Sequence, residues 1–150
     1  MPIILAMDGP SGAGKSSTSK AIAKRAGWNY LDTGALYRGA TWLAMQNNLT
    51  NAVDVINALE KNELLFNPDP NKPSLKCGKV DITEAIRNEE VTAKVSTFAA
   101  MPELRELLVS LQRKIIGEAE RGIVVEGRDI GSVVAPSAQL KIYLDREEHT

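Results

Sequence analysis

The stretch Gly9-Pro10-Ser11-Gly12-Ala13-Gly14-Lys15-Ser16 constrains this 150-residue chain more than any other. It fits G-x-x-x-x-G-K-[ST] at every fixed position. An apolar run, Ile3-Ile4-Leu5-Ala6-Met7, comes before it and a helix-like run follows. Strand, tight loop and helix form the context in which this pattern cradles phosphate. Glycines let the main chain curl so that successive N–H groups converge on an anion. The following helix aims its positive end at the same point. Lys15 adds a full charge that can follow a moving phosphoryl group, and the Ser16 hydroxyl is placed to ligate a Mg²⁺ bridging two phosphates. The expected phosphate-binding set is Gly9, Pro10, Ser11, Gly12, Ala13, Gly14, Lys15, Ser16 and Ser17, although Ser17, like Thr18, reads first as an opening-turn helix residue. The other reading, a plain glycine-rich turn, is disfavoured by the strand–helix context.

The rest of the chain supplies a matching architecture. Residues 2–7 read as a short buried parallel strand. Residues 14–26 read as a helix ended by Gly27, and 28–31 as a second strand. Thr33 is placed to N-cap a helix from about Gly34 to Asn47, and 52–61 reads as another helix. The stretch 67–81 holds three prolines and reads as turns with short antiparallel strands, an excursion from the main core. Helical periodicity resumes near Glu89. Pro102 opens a long helix carrying Leu104, Leu107, Leu108, Leu111 and Ile115. Two further apolar segments, 122–127 and 140–145, read as buried strands. Strands alternating with helices imply an α/β fold, a parallel sheet with helices on both faces. The final residues, 146–150, read as the start of a helix that is cut short, so a truncated chain is expected. His149 within them reads as a solvated side chain rather than a metal ligand.

Composition narrows the partners. Eighteen basic and nineteen acidic side chains give a net charge of −1, which argues against a nonspecific binder of polymeric nucleic acid. A small anionic ligand needs only a few arginines in a cleft. Cys77 is the single cysteine; it cannot pair internally, it fits a reducing cytoplasm, and it is expected to be unreactive. The first apolar run is far too short to cross a membrane. Trp28 and Trp42 read as packing residues.

A P-loop alone does not name an activity, and the acceptor side must do so. Arg38 falls about one and a half helical turns after Thr33, where it either meets a phosphate bidentately or faces solvent. "VVEGRDIGSVV" (124–134) runs from an apolar strand into Glu-Gly-Arg-Asp, where open α/β sheets place ligand groups; Arg128 and Asp129 are either such groups or a surface ion pair.

Together "DGPSGAGKSS", "YLDTGALYR", "DITEAIRNEEV", "VSTFAAMPELRELLVSLQR" and "VVEGRDIGSVVAPSAQLKIYLD" resemble the bacterial cytidylate kinases, over essentially the whole chain and in the same order. Adenylate kinases carry different acceptor-side patterns. The resemblance implies a three-layer P-loop NTPase fold of the nucleoside monophosphate kinase kind, one kinase core over 1–150 with a monophosphate-binding insert at about 62–90 that includes Arg87. It implies transfer of the γ-phosphoryl of ATP, with Mg²⁺, to CMP or dCMP, by a cytoplasmic monomer acting on small molecules with no nucleic-acid polymer or membrane partner. Lys15, Arg38 and Arg128 are then the catalytic set, the two arginines gripping the acceptor phosphate. Ser96, Arg105 and Asp129 read the base, Thr33 lies near the sugar and Tyr37 flanks the acceptor pocket.

The base assignment suits the chemistry. Cytosine offers two acceptors and the N4 amino donor, which match Arg105 and Asp129; uracil would set an oxygen against Asp129. The alternative reading, less favoured, makes Ser96 and Arg105 helix-surface residues. Glu126 and Asp32 either hold metal-bound water or serve as cap or turn carboxylates. Competing functions are a non-catalytic nucleotide-binding module and a small-metabolite kinase, the latter disfavoured by the Arg105/Asp129 pairing. Family members continue beyond residue 150 into a lid, so these 150 residues alone are expected to turn over poorly and a chain of the family's length to be active.

Overall fold

The computed structural model describes residues 2–10 and 14–145. The chain divides into two compact units, Met1–Thr33 with Pro68–Pro73 and Gln112–Thr150, and Gly34–Asn67 with Ser74–Leu111.

The first unit is built on a parallel sheet. Its strands are β1 (Ile3–Asp8), β2 (Asn29–Asp32), β6 (Gly122–Gly127) and β7 (Leu140–Tyr143), in the order β2-β6-β1-β7. The apolar runs that form β1 and β6 pair from Ile3↔Gly122 to Asp8↔Gly127. Leu5, Ala6, Met7, Ile123, Val124 and Val125 are buried between neighbours, as a central parallel pair requires. Helix α1 (Lys15–Ala26) follows β1 and lies against β6 and β2. It ends at Gly27, whose φ of 72° suits the left-handed cap. Because β6 inserts between β1 and β2, the carboxyl ends of β1 and β6 lie side by side, the position at which α/β sheets bind ligands.

Two expectations are corrected here. The segment 140–145 reads as a buried strand, yet Leu140, Ile142 and Tyr143 are 49%, 40% and 68% exposed. β7 pairs only with β1 and forms one edge of the described sheet. An apolar run records hydrophobicity, not whether a strand is central or marginal. Thr33 also does not N-cap the following helix. It is the first residue of α2 (Thr33–Gln46), and its hydroxyl donates to the Glu126 carbonyl at 2.8 Å.

At the opposite edge, the Tyr30 N–H of β2 donates to the Pro68 carbonyl at 2.8 Å. The proline-rich loop 68–73 thus occupies an edge position that a further strand would take. Trp28 packs on Gly122 so closely that a Cβ there would sit 2.5 Å from two indole carbons. Gly122→Val is therefore expected to destabilise the protein by about 1–3 kcal/mol, read as a lowered melting temperature. An unchanged Tm would contradict that packing.

The second unit contains the remainder of α2, α3 (Ala52–Lys61), an antiparallel sheet of β3 (Leu64–Asn67), β4 (Ser74–Cys77) and β5 (Val80–Asp81), then α4 (Glu89–Ala99) and most of α5 (Pro102–Gly117). Asn51 and Asn88 cap α3 and α4 by accepting the Asp54 and Val91 N–H groups. Within this unit α2 meets the small sheet at Gly39, where an added Cβ would lie 2.8 Å from Leu75 and 2.9 Å from Leu64. Of the segment 62–90, residues 68–73 belong to the first unit and the rest to the second. Cys77 is buried on β4, its thiol donating to the Asn62 carbonyl at 3.3 Å, and burial pushes its pKa up, which disfavours the reactive thiolate. Among the described residues no helix is long and apolar enough to cross a membrane.

Candidate active site

The loop after β1 is shaped at both ends by its glycines. Gly9 has a φ of 147°, and a Cβ there would strike the Leu144 carbonyl, so only glycine fits. Gly14 stands at the N-terminus of α1 with φ 77° and ψ 17°. Ser11, Gly12 and Ala13 lie outside the described residues. From the first turn of α1 the Lys15 ammonium donates to the carbonyls of Gly9 and Gly127, the latter at 2.9 Å. It thereby reaches from its own loop to the carboxyl end of β6. Burial lowers the Lys15 pKa; Glu126 opposes that shift, and Arg128 adds to it.

Glu126 is the hub of this region. It is 4% exposed near the end of β6. One carboxylate oxygen accepts the Ser16 hydroxyl at 3.0 Å and the other accepts the phenol of buried Tyr30. Its main-chain carbonyl takes the Thr33 hydroxyl. Burial raises its pKa, with the Ser16 hydrogen bond and then Lys15 and Lys20 opposing. The carboxylate aims the Ser16 hydroxyl and balances the lysine charge. Asp32 faces Glu126 in register across the β2–β6 pair.

Beyond β6, Arg128 and Asp129 are exposed and lead into a short helical turn, Ile130–Val134. Asp129 adopts φ 58° and ψ 28°, a region non-glycine residues seldom enter. With Asp8, Gly9, Pro10, Gly131, Ser132, Lys141, Ile142 and Tyr143 they line a cavity of about 590 Å³, within the range of small-molecule sites. Gly9, Lys15, Ser16, Thr33, Glu126, Arg128 and Asp129 are therefore gathered at one end of the first unit's sheet.

Tyr37, Arg38, Arg87, Ser96 and Arg105 belong to the second unit. Arg38 donates to the Ile86 carbonyl at 3.1 Å and the Thr92 hydroxyl at 2.8 Å, which fixes its guanidinium. The Tyr37 carbonyl accepts the Thr41 hydroxyl, and the Tyr37 side chain is half-buried on α2. Ser96 on α4 and Arg105 on α5 are exposed, as is Arg87. Ser17 is exposed on α1, and His149 lies outside the described residues.

A model of the cytidylate kinase family matches residues 5–150. The chain belongs to the cytidylate kinase family. A cytidylate kinase of Streptomyces avermitilis is 48% identical over 144 residues, 95% of this chain and 62% of the relative. One from Streptococcus thermophilus is 48% identical over 145 residues, covering 95% and 63%. One from Streptomyces coelicolor is 49% identical over 148 residues, covering 95% and 62%. The chain thus spans less than two thirds of the length of these cytidylate kinases. Its parallel sheet with flanking helices fits the P-loop NTPase kinase fold of the family.

Three residues of this cytidylate kinase family member escaped the sequence reading. Tyr30 reads only as part of a strand, Asp8 only as a strand end, and Arg113 receives no reading of its own. The polar position of Asp8 immediately before the loop was the one available signal. Among the described residues no group of three or more His, Cys, Asp or Glu side chains is arranged to hold a metal. A hydroxyl and a carboxylate, Ser16 and Glu126, meet at the loop instead. They are hard oxygen donors of the kind Mg²⁺ takes when it is also held by phosphates and water.

Proposed function

We propose that the whole protein transfers the γ-phosphoryl of ATP to CMP or dCMP, giving ADP and CDP or dCDP. The observation that carries this reading is the junction at the carboxyl ends of β1 and β6. Lys15 bridges the Gly9 and Gly127 carbonyls there, and the next residues, Arg128 and Asp129, share a cavity with Gly9 and Pro10. The loop from Gly9 to Ser17 supplies main-chain N–H groups to the donor phosphates, and Lys15 exchanges carbonyl partners for phosphate oxygens. Ser16, aimed by Glu126, would hold Mg²⁺, with Asp32 and Glu126 reaching it through water. When bound, the ion neutralises charge on the β- and γ-phosphates.

The acceptor phosphate oxygen is already anionic, so the chain need not supply a general base. Arg38 and Arg128 bind that phosphate and offset its repulsion from the donor. Asp129 accepts from cytosine N4, Arg105 and Ser96 address O2 and N3, and Thr33 and Tyr37 lie beside sugar and base. The segment at 62–90, with Arg87, serves monophosphate binding within a single kinase. The protein acts in the cytoplasm as a monomer on small molecules alone, not on nucleic-acid polymers or membranes.

An acceptor screen tests the reading. The full-length protein with ATP and Mg²⁺ is expected to phosphorylate CMP and dCMP well above UMP and shikimate. ATP binding without transfer to any acceptor would establish a nucleotide-binding module, and preference for shikimate a metabolite kinase; either would overturn the proposal.

A further inference from the structure

The turn carrying Arg128 and Asp129 does not hold itself in place. The Ile130–Val134 helix has five residues, too few to be stable alone. Asp129 enters it through left-handed backbone, and its carbonyl accepts the Val133 and Val134 N–H groups at 2.9 and 3.2 Å. Two charged side chains close its ends. At the start, the two Asp8 carboxylate oxygens accept the Ile130 and Gly131 N–H groups at 2.7 and 2.9 Å. At the finish, Arg113 on α5 donates through Nη2 to the Val133 carbonyl at 2.9 Å and through Nε to the Val134 carbonyl at 3.1 Å. Each charge has the sign that its end of the turn favours.

Asp8 is also the last residue of β1. It pairs in register with Gly127, and Gly9 follows it. Its carboxylate therefore joins the entry of the phosphate loop to the turn that presents Arg128 and Asp129. Arg113 anchors that turn from the other side. We infer that Asp8 and Arg113 are positioning residues that set the direction of Asp129, and through it selectivity for cytosine over uracil.

This rests on the kinase reading above. A base-reading carboxylate discriminates only if it is held still: a freely turning Asp129 could swing away from uracil O4 and would lose its preference. A loosened turn should therefore weaken acceptor selectivity more than it weakens ATP binding.

The test uses the full-length protein as wild type, Asp8→Asn, Arg113→Gln and Arg113→Lys, with Tm recorded for each. Asparagine keeps one acceptor and sets an N–H against the second main-chain donor. In Asp8→Asn and Arg113→Gln the CMP:UMP ratio of kcat/KM should fall about 10-fold and KM for CMP rise about 10- to 100-fold. KM for ATP in Arg113→Gln should stay within about 2-fold, since donor-loop contacts are untouched. Lysine at 113 keeps the charge without the two-pronged contact and should fall between wild type and glutamine. Should Asp8→Asn not fold, the Arg113 pair decides. Folded variants keeping the wild-type CMP:UMP ratio would overturn the inference while leaving the kinase reading intact. A wild-type enzyme without CMP transfer would overturn the kinase reading, and this inference with it.

Discussion

Lys15→Ala should reduce phosphoryl transfer by about 10³-fold or more while leaving the protein folded. Nothing else described at the loop carries a mobile positive charge to the transferring group. Loss of a preorganised charge at such a point is among the largest single effects in catalysis. The folding side has the opposite sign. Burial lowers the Lys15 pKa, so its contribution to stability is present above the unfolded value and lost as pH falls through the folded one. Below the unfolded value burial disfavours the ammonium, a cost opposed by its bonds to the Gly9 and Gly127 carbonyls. The alanine variant should therefore melt no lower than wild type at pH 7. A coupled assay for ADP and a melting curve read the two halves; turnover within about 10-fold of wild type would remove Lys15 from the chemistry.

Glu126→Gln should separate stability from activity in the same way. Burial raises the Glu126 pKa, the Ser16 hydrogen bond and the two lysines only partly opposing it. A raised carboxyl pKa gives stability that is fully present below the unfolded value and lost as pH rises through the folded one. At pH 7, above the unfolded carboxyl range, burial disfavours the ionised carboxylate, a cost that glutamine does not bear. Glutamine is close in shape and can still bond both Tyr30 and Ser16, whose hydroxyls accept as well as donate. The variant should melt about 2–4 °C higher than wild type at pH 7, with the gap closing as pH falls toward the unfolded carboxyl range. Turnover should fall about 10- to 100-fold, because the Ser16 hydroxyl exchanges a carboxyl partner for a neutral amide that orients it less strictly. A glutamine variant that melts lower at pH 7, or a gap that does not change with pH, would show that Glu126 stabilises the fold.

These effects coincide because the site concentrates charge in a buried place. Lys15 and Glu126 are both shifted against their ionised forms by burial, a cost that makes sense where a multiply charged ligand completes the balance.

The legible parts of the fold were those written in local pattern. β1, the glycine loop and α1 follow one another in sequence, and each has its own signature of apolar run, glycine spacing and capping glycine. β6 was equally plain, because a central parallel strand is apolar on both faces. The exposure of β7 was hidden, since an edge strand and a central strand share that composition. The hub at Glu126 was hidden for another reason: Ser16 and Tyr30 lie 110 and 96 positions away, and only the insertion of β6 between β1 and β2 brings them together. Thr33 has a residue type that suits a cap, but the helix begins one residue earlier than its pattern suggests, so Thr33 lies inside it and its hydroxyl donates to the Glu126 carbonyl. Asp8 and Arg113 fall within quoted stretches but carry no role there, because their partners are main-chain groups of a turn distant in sequence.

The central claim is that the loop bearing Lys15 and the turn bearing Arg128 and Asp129 serve one site for two phosphorylated ligands. The most direct measurement is calorimetric titration of the full-length protein with a compound joining adenosine and cytidine through a five-phosphate bridge. Occupying both places at once, it should bind about 10²-fold or more tighter than ATP or CMP alone, and more tightly than its uridine counterpart. Affinity no greater than that of ATP, with free CMP still able to bind beside it, would contradict the account.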